Sequence, residues 1–260
     1  MLKNLIPLTC LLRDFLPSKI QLSIYHIAFL FLFFLVSSCD VLEPDPEVVT
    51  FEYDFTQADH NWEVFYSDYT DPEINQAELQ TDYTSLPAGL TETGNAHFAS
   101  VLNHPENFKI LYRLRVDNLA PFAPYDVRYT IRFATNVPSG CGDIGEPAGE
   151  DQYVLARSHV VKPDTTNILQ LGPTALLNIQ YFDNPQNWLE NSITDDITNS
   201  RSCNEPRQFE IKEIRTKSDH NSVTADSNGR MWLIFGTHSD FPGDTSVYFT
   251  YFKAEFRQIS

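Results

Sequence analysis

A chain of 260 residues with 18 Lys and Arg against 35 Asp and Glu carries a formal charge of −17. A surface that acidic repels nucleic acid and anionic lipid headgroups, so neither is expected as a partner. The length admits one large domain or two small ones, with enough apolar sequence for a real core.

The first element is a leader. Ile20 to Val36 is almost unbroken apolar sequence, preceded by Lys3, Arg13 and Lys19 and followed by Ser37-Ser38-Cys39. A basic start, an apolar stretch and small residues at its end make a secretory signal. A transmembrane helix is the alternative, since about 17 apolar residues is near the lower limit for crossing a bilayer. The stretch Leu35-Val36-Ser37-Ser38-Cys39 resembles the lipobox of bacterial lipoproteins, which implies cleavage before Cys39 and a diacylglycerol on its sulfur. Residues 1–38 are then the signal peptide, 39–47 an acidic tether and 48–260 a single domain. The leader takes three basic residues and one acid with it, which leaves a mature charge of −19.

Pro44 and Pro46 favour an extended tether, and its acids keep it solvated. Those acids also resemble the surface-export signal of Bacteroidetes-type lipoproteins; a plain spacer is the other reading. Either way the expected home is the cell envelope, as an outer membrane lipoprotein facing the periplasm or the surface.

Val49 to Phe55 alternates apolar and polar residues and predicts a half-buried strand. The aromatic stretch from Asp59 to Tyr69, with Trp62 and Phe65, reads either as core or as a sugar-stacking platform, and core is favoured. Residues 70 to 108 show weak periodicity and predict loops with short strands. Ile110 to Val116 and Tyr125 to Phe133 alternate strictly, and the second is the strongest strand signature in the chain. The arginines between them predict a solvated sheet face.

Thr135 to Asp151 is a glycine-rich loop whose acids Asp143, Glu146, Glu150 and Asp151 make a candidate calcium site; a solvated turn is the alternative. No other cofactor is expected. Cys141 and Cys203, in an exported chain, predict a disulfide, because a metal pair would need CxxC or His spacing. Short strands are expected at Tyr153 to Val161 and Leu176 to Tyr181. Trp188 then stands among amides in a polar loop, where it either stacks on a sugar or plugs the domain.

Asn228-Gly229 predicts a type I′ hairpin between Ser222–Asp226 and Met231–Gly236. Met231 to Phe235 is apolar on both faces and predicts a central strand. A last strand is expected with Tyr248, Thr250, Phe252, Ala254 and Phe256 on one side. The nine residues between, Gly236 to Asp244, form a connector longer than a hairpin needs, and within it His238, Asp240 and Asp244 are a compact polar cluster. It reads as a metal or acid–base site, or as plain turn chemistry.

Several fragments resemble a family of uncharacterised Bacteroidetes-type bacterial lipoproteins with a β-sandwich domain. They are Phe51-Glu52-Tyr53-Asp54-Phe55, Phe65-Tyr66-Ser67-Asp68-Tyr69, Thr130 to Asn136, Gly145 to Glu150 and Met231 to Thr237. The resemblance implies fold and location and no activity. The chain departs from the family at Glu146, His238, Asp240 and Pro242, where the family carries Gly, an acid, Gly and Glu.

No HExxH, GxSxG or GxGxxG motif appears. The expected fold is an all-β, jelly-roll-like antiparallel sandwich with minor helix. The expected function is a lipid-anchored binding module, with glycan the first ligand class and Trp188, His238 and Asp240 as its candidate residues. A glycan hydrolase or lyase on the same sandwich, and a structural or protein-interaction lipoprotein, are the rivals.

Overall fold

A computed structural model of the chain describes residues 47–104, 106–141, 149–167, 174–178, 193–216, 222–240 and 243–259. The expected leader, Cys39 and most of the tether lie outside these residues.

The alternating segments form the strands that carry the architecture. One antiparallel sheet contains β1 (Val48–Asp54), β3 (Glu78–Ser85), β4 (Asn95–His104), β6 (Pro124–Thr135), β11 (Glu210–Arg215), β12 (Ser222–Thr224) and β14 (Gly243–Gln258). Its order is β11-β6-β14-β4-β3, with β1 paired to the C-terminal half of β14 and β12 to the start of β6. The facing sheet runs in the order β10-β7-β13-β5-β2, from β2 (Glu63–Ser67), β5 (Lys109–Val116), β7 (Gln152–His159), β10 (Ile193–Asp196) and β13 (Met231–Ser239). A separate pair, β8 (Thr165–Asn167) and β9 (Ala175–Leu177), packs against β2. Successive strands mostly cross from one sheet to the other, the jelly-roll-like connectivity expected. The helical elements among the described residues are α1 (Asp71–Gln76) and a 3-10 turn at Gly149–Asp151, with a further helical residue at Asn178.

An aromatic layer fills the space between the sheets. Phe235 is its hub, with ring centroids of Trp62, Phe249, Tyr112 and Phe252 at 4.8, 5.0, 5.1 and 5.1 Å. Trp62 and Phe65 are both buried, as the core reading required. Buried hydroxyls keep partners across the gap: Tyr129 Oη donates to Ser158 Oγ at 2.6 Å, and Thr245 Oγ1 to Gln152 Oε1 at 2.7 Å.

Five sequence expectations are corrected. Residues 70 to 108 hold two long strands, β3 and β4, because their inward positions include Thr81, Ala99 and His97, which blur the apolar period. The arginine face is not uniformly solvated: Arg113 is buried, its Nε donating to Glu63 at 3.0 Å and its guanidinium lying over Phe65 and bonded to the Pro163 carbonyl. Asn228-Gly229 is no hairpin turn, since β12 pairs with β6 in one sheet and β13 with β5 and β7 in the other. Only Gly229 has positive φ there, and a Cβ on it would meet the Leu119 carbonyl oxygen at 2.0 Å. On β14 a bulge between Phe249 and Tyr251 shifts the phase, so Val247 and Phe249 face inward before it and Phe252, Ala254 and Phe256 after it. The connector from Gly236 is strand as far as Ser239.

Cys141 and Cys203 form a disulfide with Cα atoms 5.2 Å apart and a sequence separation of 62. It ties the loop after β6 to the loop before β11, next to the parallel bridge Ser139–Ser202.

Candidate functional site

The outward face of the five-stranded sheet holds the site. Side chains alternate across a strand, so residues opposite one another in register share a face. Ser67 stands opposite Lys109, Lys109 opposite His238, and His238 opposite Tyr153, which makes one row across β2, β5, β13 and β7. The adjacent row is apolar, with Phe65, Leu111 and Leu155 joining Ile234 and Leu177 in a small second cluster. The polar row therefore caps an apolar floor at one end of the sheet.

Two of its members are deeply buried charges or potential charges. Lys109 is 1% exposed, and its ammonium lies 2.9 Å from Asp68 Oδ2 and donates to the Asn107 carbonyl at 3.1 Å. Burial pulls its pKa down, and the carboxylates of Asp68 and Asp240 act against that pull. Ser67 Oγ donates to the same Asp68 oxygen at 2.6 Å. Asp68 and Asn107 both have positive φ, 65° and 67°, a conformation that Asp and Asn tolerate better than most residues. The backbone is thus bent on both sides of the ion pair.

His238 is buried, and its Nε2 lies 2.5 Å from Asp240 Oδ1. Burial, helped by the positive charge of Lys109, pushes its pKa down to about 4 despite Asp240. The imidazole is therefore neutral near pH 7. Because a carboxylate only accepts, the proton sits on Nε2 and is donated to Asp240; Nδ1 is then a buried acceptor with no partner in the structure. The Tyr153 ring lies nearly parallel to the imidazole, at 6.2 Å and 19°. Tyr153 is half-buried, and burial followed by Asp240 and Asp151 raises its hydroxyl pKa. At the outer edge, the Asp196 carboxylate is taken by Lys212 at 2.7 Å and Thr198 at 2.6 Å.

The arrangement leaves one carboxylate toward solvent and a second largely buried, each held by a buried partner. The Asp240 side chain is 46% exposed and the Asp68 side chain 14%. His238 and Lys109 are too enclosed to touch a substrate, so the acid–base reading of the His238 cluster loses its geometry, while the pairing of His238 with Asp240 stands. Lys109 and Asp68 carried no sequence signal beyond their places at a strand start and end. The alternation of Lys109 with Leu111 and Arg113 was the one available clue to their face.

Of the other candidate residues, Glu150 Oε1 accepts from the Gly140 amide at 2.5 Å, and the Asp151 carbonyl accepts from the Asp240 amide at 2.8 Å. Asp143, Glu146 and Trp188 lie outside the described residues, as does Cys39. Among the described residues no three His, Cys, Asp or Glu side chains gather as a metal-holding group.

No protein-family model matches the chain, and no curated protein matches it. Among solved structures it is similar to a carbohydrate-binding module of the β-sandwich superfamily, over 83% of this chain and 75% of that one, at 7% identity and a TM-score of 0.36. It is similar to the K1 cleaved adhesin domain of Lys-gingipain from Porphyromonas gingivalis over 82% and 99%, at 7% identity and a TM-score of 0.36. It is also similar to the winged bean acidic lectin complexed with methyl-alpha-D-galactose, over 82% and 100%, at 10% identity and a TM-score of 0.32. At such scores the likenesses carry no weight for ligand or lineage, and the sandwich architecture rests on the chain's own strand pairing.

Proposed function

We propose that this protein is a lipid-anchored module of the cell envelope that binds a glycan on the outward face of its five-stranded sheet, at the Lys109 end. The observation that carries the reading is the solvent-facing Asp240 carboxylate fixed from beneath by His238, with the largely buried Asp68 carboxylate held by Lys109 and Ser67 near it, beside the half-buried ring of Tyr153. Sugar hydroxyls are bound by acceptors already held in place, and a ring face accepts the apolar side of a pyranose. Buried ion pairs and orphaned imidazole nitrogens add nothing obvious to stability, so their presence in one row favours a functional cause.

A glycan-array screen of the purified protein, with and without calcium, tests the reading. Binding that is lost in both Tyr153→Ala and Asp240→Asn supports it, and binding untouched by either sinks it. Trp188→Ala in the same screen shows whether that tryptophan shares the ligand. The anchor is tested separately. Cys39→Ser should leave the protein unlipidated and out of the membrane fraction, and unaltered fractionation would remove the anchor from the account.

A further inference from the structure

The sandwich has two ends, and its exposed apolar side chains are not shared evenly between them. Among the described residues the exposed large hydrophobics are Val48, Val64, Leu102, Phe122, Val160, Val161 and Ile259. Strand register places five of these seven at the end opposite the Lys109 row. Val48 pairs with Arg257, and the Ile259 amide donates to the Pro124 carbonyl, so both lie where β6 begins. Val160 and Val161 follow His159, which stands opposite Trp232 at the start of β13. Phe122 lies in the link from β5 to β6, whose neighbour across the end is the Asp226–Gly229 turn.

Phe122 is the sharpest feature. It is 69% exposed, within the exposed run Ala120-Pro121-Phe122, and its φ is +57°. A bulky residue in the left-handed region is strained, and here the strain holds an aromatic ring in water. Neither burial nor turn geometry explains a phenylalanine at that position.

The chain enters at this same end. From Cys39 to Val48 is nine residues, which span about 30 Å at most when fully extended. We infer that the Val48, Phe122, Val160, Val161 and Ile259 end of the sandwich docks on the surface of the bilayer to which the chain is anchored, with Phe122 entering its interface. This inference rests on the reading that Cys39 is lipidated. The occupant is a zwitterionic surface, because a mature charge of −19 opposes anionic lipid. Strand β5, eight residues long, separates this end from the Lys109 row by roughly 24 Å, so docking leaves the candidate ligand site facing away from the membrane.

The experiment uses the full chain, processed and lipidated in its host and reconstituted into phosphatidylcholine and phosphatidylethanolamine vesicles, with a fluorophore on Phe122→Cys or on the control Leu102→Cys near the other end. Brominated acyl chains are the quencher. The expected result is co-flotation with vesicles and a loss of fluorescence several-fold greater at position 122 than at 102. Co-flotation with equal, weak quenching at both positions overturns the docked end and leaves the lipid anchor standing. Failure to co-float overturns both.

Discussion

At the end where β1 begins, the exposed residues include Ala120, Pro121, Phe122, Val160 and Val161 beside Asp117, Asn118, Ser227 and Asn228, and the backbone is strained at an aromatic. At the other end, the exposed residues include Asp151 and Asp240, the backbone is bent at Asp68 and Asn107, a lysine is buried, and a disulfide closes the neighbouring loops. The aromatic layer between them is explained by packing. Each end, by contrast, holds something that folding does not need: an apolar ring left in water at one, and charge withdrawn from water at the other. Departures of that kind mark where a surface meets something else.

The contrast can be broken first at the ion pair. Asp68→Ala leaves Lys109 buried without its carboxylate and should cost about 3–5 kcal/mol, whereas Lys109→Met with Asp68→Leu should recover most of the loss. Denaturant unfolding of the three proteins checks this. An Asp68→Ala change without measurable cost would show that the pair is hydrated and the polar end ordinary.

The disulfide is next. Closing a loop of separation 62 stabilises by about 4 kcal/mol on the chain-entropy model, so Cys203→Ser should lower the unfolding free energy by that order. Mass spectrometry of reduced and unreduced protein should differ by two hydrogens.

His238 gives the polar end a pH signature. Its folded pKa of about 4 lies below the ordinary value of 6.5, so between those limits the unfolded state binds a proton that the folded state does not. Stability is therefore lost as pH falls from 6.5 to 4, by about 3 kcal/mol from this group. His97, also lowered by burial, adds in the same direction. His238→Gln should flatten the slope in that window, and an imidazole titrating near 6.5 by NMR would contradict the assignment.

The smallest effect belongs to the apolar end. Phe122→Gly relieves the left-handed strain and should stabilise the protein in solution by about 1 kcal/mol. A clear destabilisation would mean that the ring packs on its own chain.

Much of this was legible. Strict alternation located β1, β5 and β6, the two-sided apolar run marked β13 as central, and the expectation of export predicted the disulfide. The misses share a cause, which is that pairing partners are not local. Leu79, Thr81 and Tyr83 look like loop until β4 covers them. Asn228-Gly229 looks like a hairpin until its flanking strands join different sheets. At the site, His238 and Asp240 were visible because they lie two residues apart, while Lys109 opens β5 and Asp68 follows β2, so they meet only through the pairing of those strands.

Ligand is expected at Asp240 and Tyr153, beside Asp68 at the Lys109 end of the sheet, and not at the Phe122 end. The direct measurement is amide-shift mapping by NMR during titration with the best glycan from the array. Perturbations are expected at Asp68, Tyr153 and Asp240 with none at Phe122 or Val160; shifts centred on the opposite end, or on the face of the seven-stranded sheet, would contradict that site.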